Sequence, residues 1–150
     1  MFCGRRFLRN RLKNRRSRKE FRGKIRVLIA DDHTVVRQGL FTMLNLHADV
    51  EMVGEAADGQ EAVEKTREFQ PDVILMDISM PRLDGIEATR IIHAEFPHTR
   101  IIGLSMHDKQ DQAARMLEAG ASAYCTKDGA TDMLLSAIRG GRLWSDYTPE

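Results

Sequence analysis

Four short apolar runs limit what this chain can fold into: KIRVLIA at 24–30, DVILM at 72–76, RIIGL at 100–104 and ASAYCT at 121–126. Each is about the length of one strand and largely apolar throughout, the pattern of a strand buried on both faces, and stretches of helical periodicity separate them. Such alternation specifies a parallel sheet with helices on both sides, because right-handed crossovers bring each strand back in the same direction. The strands then point their carboxyl ends to one edge of the sheet, where ligands bind. The residues that follow the runs are therefore gathered in space: Asp31 and Asp32, Asp77, Ser105 and Lys127. Three carboxylates, a hydroxyl and an ammonium suit a divalent cation and a phosphoryl group, since hard cations take oxygen ligands and a lysine neutralises phosphate charge.

Residues 50–56 supply a fifth, edge-like strand, which gives an α/β fold with a doubly wound five-stranded parallel sheet ordered 2-1-3-4-5. The ligand site is then expected at the switch point between the first and third strands, between Asp32 and Asp77. Helical spacing places Val36, Leu40, Met43 and Leu44 on the inner face of the first helix, and Ala62, Thr66 and Phe69 on that of the second. Ala88, Ile91, Ile92 and Glu95 follow on the third, closed by Phe96, with Ala113, Ala114 and Leu117 on a fourth that stops at Gly120. Leu134, Ala137 and Ile138 mark a fifth that stops at Gly140, and Gly59, Gly85 and Gly129 punctuate loops leading into helices.

Each site residue has a plainer role available. Asp31, Asp32 or Thr34 could cap the helix that begins near Val35, but two adjacent carboxylates facing Asp77 repel one another unless a cation is present. Asp77 could merely begin a turn, and Lys127 could be a solvated lysine, although its place after an apolar strand and opposite three acids argues otherwise. Ser105 could cap the next helix, a job that Asp108 suits better. The five histidines, His33, His47, His93, His98 and His107, show no ligand spacing on one helix face and are read neither as metal ligands nor as phosphodonors.

ADDH at 30–33, LMDISMPRLDGIEA at 75–88, LSMHD at 104–108 and AYCTK at 123–127 resemble the signature segments of the receiver domain of two-component response regulators. LIADDHTVVRQGL, the MPRLDG turn and GASAYCTKD are most similar to the NarL/LuxR-type subgroup. Four segments in the right order, each at a strand end, make a specific signal. The resemblance implies a flavodoxin-like receiver fold over residues 24–141 and Asp77 as phosphoacceptor, fed by a sensor histidine kinase. It implies Mg²⁺ held by Asp31, Asp32, Asp77 and the backbone carbonyl of Ser79, with Asp32 coordinating directly and Asp31 mainly through water. Ser105 and Tyr124 would switch on phosphorylation, and Lys127 would contact the phosphoryl group. It also implies slow self-dephosphorylation at most, a homodimer formed on phosphorylation, and a role in transcription regulation through a DNA-binding domain that would follow residues 142–150. These 150 residues end about where that linker would begin, as expected of a stand-alone receiver or a truncated regulator.

The near-neutral total charge hides an asymmetry. Residues 1–24 carry eleven basic side chains against the single acid Glu20, a net of +10, whereas the rest carries twelve against twenty-one, a net of −9. Residues 1–23 repel themselves and lack apolar periodicity, so a disordered basic extension is expected. A solvated tail or an over-extended translation start accounts for it, and so does contact with nucleic acid or an anionic membrane surface. The second of these gives the alternative function, a nucleic-acid-associated binding protein working through the arginine-rich tail. No apolar run reaches the roughly 18 residues that cross a bilayer. The only two cysteines, Cys3 and Cys125, offer no disulfide framework, which fits a reducing cytoplasm, and Cys125 inside the last strand reads as a core residue.

Overall fold

A computed structural model describes residues 24–106, 110–127 and 131–140. Strands β1 (Ile25–Ala30), β2 (Val50–Ala56), β3 (Val73–Asp77), β4 (Arg100–Ser105) and β5 (Ala123–Thr126) alternate with helices α1 (Thr34–Asn45), α2 (Gly59–Phe69), α3 (Gly85–Glu95), α4 (Gln110–Ala119) and α5 (Thr131–Arg139). The strands pair in parallel in the order β2-β1-β3-β4-β5, as the sequence pattern predicts. The expectations for residues 1–23 and 142–150, and those for His107, Asp108 and Gly129, lie outside the described residues.

Successive side chains of a strand point to opposite faces, and the core divides accordingly. Leu28, Ala30, Ile74, Met76, Ile101 and Tyr124 face one way and pack with Ala62, Ala88, Ile92 and Met116 of α2, α3 and α4. Val27, Ile29, Val73, Leu75, Ile102 and Cys125 face the other way and pack with Leu44 of α1 and Leu134 and Ile138 of α5. Burial pushes the Cys125 thiol up to about 11, so it stays protonated at neutral pH and behaves as a small apolar residue.

Two features depart from the sequence reading. The buried residues of α4 are Met116 and Ala119, while Ala114 is exposed and Leu117 is 48% exposed. Gly103 sets this phase: a Cβ there would lie 2.9 Å from Met116 Cε and 3.0 Å from Tyr124 Cδ1, so its bare backbone makes room for both. The second is Glu95, which is exposed and pairs with Arg67 of α2 instead of facing the core. The start of α1 agrees with the reading that set capping by Asp31 aside. Asp58 and Asp84 cap α2 and α3 by accepting the Glu61 and Glu87 N–H groups at 2.8 and 2.9 Å, but α1 has no side-chain cap. Its N-cap is His33, and Asp31 Oδ1 accepts the His33 N–H at 2.8 Å. Asp31 belongs to the sheet edge rather than to the helix.

Candidate functional site

Asp31 extends the β1 ladder by one bond, its N–H donating to the Ala56 carbonyl at 2.9 Å, and its side chain is fully buried. Asp77 is the last residue of β3 and is 4% exposed. The loop beyond it is held close to α3: Gly85 N–H donates to Ile78 O at 2.8 Å, and a Cβ on Gly85 would lie 1.9 Å from the Asp77 carbonyl oxygen. Only glycine lets the helix start come so near the strand end. From the far side, the Lys127 N–H donates to the Ser105 carbonyl at 2.7 Å, tying the end of β5 to that of β4.

These ties bring Asp31, Asp77 and Lys127 into direct contact. Lys127 Nζ lies 2.6 Å from Asp31 Oδ2 and 3.3 Å from Asp77 Oδ1, with all three side chains at most 5% exposed. They are close ion pairs, and among the described residues Asp77 Oδ2 is buried with no hydrogen-bond partner. Asp32, at 32% side-chain exposure, stands at the mouth of the pocket. Burial is the main cause that pushes the Asp77 carboxyl up to about 6, followed by the negative charge of Asp31, with Asp32 adding a little and Lys127 acting the other way.

Donor atoms of Asp31, Asp32, Asp77 and His33 all lie within 4.8 Å of one another. An acceptor-only carboxylate oxygen, buried and unpartnered beside two further carboxylates, fits a hard cation. The predicted flanking residues occupy graded positions. Ser105 ends β4 and is buried, its Oγ 3.5 Å from Gln112 Oε1. Tyr124 is buried, pairs with Gly103 in the sheet and shares an apolar cluster with Met116. Ser79 is exposed two residues beyond Asp77.

The sequence reading missed three neighbours of the site. Arg37 donates to the Asp31 carbonyl at 2.6 Å and to Glu55 Oε1 at 2.9 Å, bracing the loop after β1. Arg82 takes a left-handed backbone, φ 68°, with Nε 3.6 Å from Asp58 Oδ2. His33 Nδ1 sits 3.2 Å from Asp31 Oδ1 and 3.1 Å from Asp32 Oδ1. Arg37 falls one turn into a helix, where spacing alone gives no sign of which way it turns. His33, adjacent to the two aspartates, carried a signal in that adjacency.

The response regulator receiver domain family matches residues 27–139. Oxygen regulatory protein NreC of Staphylococcus aureus (strain JH9) is 45% identical over 116 residues, 77% of this chain and 54% of that protein. The chain spans about half the length of the curated relatives it matches. Among solved structures, a LuxR-family two-component response regulator from Aurantimonas sp. SI85-9A1 superposes with a TM-score of 0.75 at 37% identity, covering 80% of this chain and 88% of that one. A CheX–CheY–BeF3–Mg²⁺ complex from Borrelia burgdorferi superposes with a TM-score of 0.70 at 28% identity, covering 76% and 86%. Among the described residues, no helix is long and apolar enough to cross a membrane.

Proposed function

The chain belongs to the response regulator receiver family, in its NarL/LuxR-type subgroup, and on that premise we propose that Asp77 accepts a phosphoryl group from a sensor histidine kinase in a cytoplasmic phosphorelay. The observation that carries this reading is the Asp77 carboxylate: it ends a central strand beside Lys127, with one oxygen that no group among the described residues satisfies. A carboxylate oxygen of Asp77 attacks the phosphorus in line, the bond from phosphorus to the donor nitrogen breaks, and an acyl phosphate forms. Lys127 neutralises charge on the transferred group, and the Ser105 hydroxyl turns to donate to it. Tyr124 then repacks against Met116, converting a new charge into a changed surface.

Asp31, Asp32 and Asp77, with the Ser79 carbonyl, would hold Mg²⁺, the ion of the Borrelia complex. Mg²⁺ supplies a fixed positive charge that neutralises and orients phosphate oxygens. The close pairing of Asp31 with Lys127 supports the larger direct share for Asp32. Asp77 must be ionised to attack, so cation binding and loss of its proton are linked.

Receiver domains of this family are phosphoacceptors rather than typical enzymes, and the chain's own contribution to turnover is slow hydrolysis of the acyl phosphate. Residues 24–141 form the receiver unit, 1–23 a basic extension and 142–150 the start of a linker. The output is transcription regulation, with a homodimer formed on phosphorylation. The family match favours this reading over a nucleic-acid-binding role for the arginine-rich residues. Incubation with acetyl phosphate and Mg²⁺ followed by intact mass tests it: the parent gains one phosphoryl group and Asp77→Asn gains none.

A further inference from the structure

We propose that His33 is a nitrogen ligand at the rim of the acidic pocket, so that the pocket takes first-row transition cations with imidazole affinity, such as Ni²⁺ or Co²⁺, as well as Mg²⁺. The inference rests on the reading of Asp31, Asp32 and Asp77 as a cation site. Adjacent corners of an octahedron with bonds of about 2.1 Å are about 3 Å apart. His33 Nδ1 stands at that spacing from two carboxylate oxygens, 3.1 Å from Asp32 Oδ1 and 3.2 Å from Asp31 Oδ1. All four donors lie within 4.8 Å, near the roughly 4.2 Å across such an octahedron.

Asp77 Oδ2 adds a second pointer to a ligand beyond the clustering of acids, because it is buried and no donor among the described residues reaches it. His33 itself is anchored by its main chain, whose N–H donates to Asp31 Oδ1, while its side chain is 58% exposed. Coordination through Nδ1 puts the ring proton on Nε2, toward water, with no buried donor stranded. Mg²⁺ gains little from an imidazole, whereas affinity for nitrogen donors rises from Mn²⁺ through Co²⁺ to Ni²⁺, so His33 makes the pocket selective among cations. The same distances also suit an Nδ1–H donating to the carboxylates, and that arrangement would confer no selectivity.

Calorimetric titration of the full chain with NiCl₂ and with MgCl₂ separates the two. The ratio of Mg²⁺ to Ni²⁺ dissociation constants should fall on the order of tenfold in His33→Ala relative to the parent. In the parent, excess Mg²⁺ should displace Ni²⁺, and Asp32→Ala should weaken both ions, which places them in one pocket rather than on another histidine. An unchanged ratio in His33→Ala overturns the proposal while leaving the pocket intact, and so does Ni²⁺ that Mg²⁺ cannot displace. A parent that binds neither ion overturns both this proposal and the cation-site reading beneath it.

Discussion

At the amino edge of the sheet, charged side chains are engaged with the main chain, whereas at the carboxyl edge they are buried with bonding capacity to spare. At the amino edge Asp72 accepts the Arg26 N–H at 3.0 Å, and the Arg26 guanidinium donates to the Gln70 carbonyl at 2.9 Å. Arg100 donates to the carbonyls of Ala137 and Ile138 near the end of α5. Helix ends leave such carbonyls without intrahelical partners, so a guanidinium there adds stability. At the carboxyl edge Asp31, Asp77 and Lys127 pair as ions, yet Asp77 Oδ2 has no hydrogen-bond partner among the described residues. Burying a polar atom without a partner costs free energy, and a chain keeps such an atom where a ligand is to meet it. One edge satisfies its charges within the fold; the other holds the buried carboxylate proposed as phosphoacceptor.

Removing the ammonium should break the contrast most severely. Lys127→Ala leaves two buried carboxylates with no counter-charge and should cost about 3 kcal/mol or more in chemical denaturation at neutral pH. Added Mg²⁺ should restore more stability to this variant than to the parent, because the cation takes over the lost neutralisation. Equal responses to Mg²⁺ would mean that lysine and cation do not share the pocket.

Asp77→Asn should act in the opposite direction. The folded-state carboxyl is raised from 3.8 to about 6, so the native protein binds that proton more tightly than the unfolded chain does. Its contribution is favourable below about pH 4 and is lost as the pH rises through 6. In metal-free buffer, Asp77→Asn should therefore gain on the order of 2 kcal/mol above pH 7, the gain vanishing near pH 4. A pH-independent difference between variant and parent would exclude titration of Asp77 as its source.

Smaller effects belong to the amino edge. Arg100→Ala should lower stability by about 1–2 kcal/mol through the two freed carbonyls, with phosphorylation by acetyl phosphate unchanged. Arg139→Ala removes a pair with Asp49 at 2.7 and 3.1 Å, but both side chains are more than a third exposed. Its cost should be the smallest of these and should shrink in salt, as melting at two ionic strengths would show.

The sheet and the meeting of Asp31, Asp77 and Lys127 at one edge were legible because both rest on local pattern. An apolar run long enough for one strand has few alternatives, and the residue after it has one place to go. The phase of α4 was not legible, since QDQAARMLEA offers small or apolar residues on more than one face and a gap above Gly103 on another strand decides between them. Asp31 suits an N-cap locally, and the acids around it argued against that role; the contact that draws it into the pocket is with Lys127, nearly a hundred residues later. His33 was set aside for want of a second ligand on its own helix, although its companions are the two residues before it. Tertiary contacts made these choices, and a sequence does not display them.

The position of the acyl phosphate tests the central claim most directly. Borohydride reduction of the protein after treatment with acetyl phosphate and Mg²⁺ converts a phosphorylated aspartate to homoserine, which peptide mass mapping can locate. Homoserine at position 77 alone is the predicted result; homoserine at 31 or 32, or at none of the three in a protein that has gained phosphate, would contradict it.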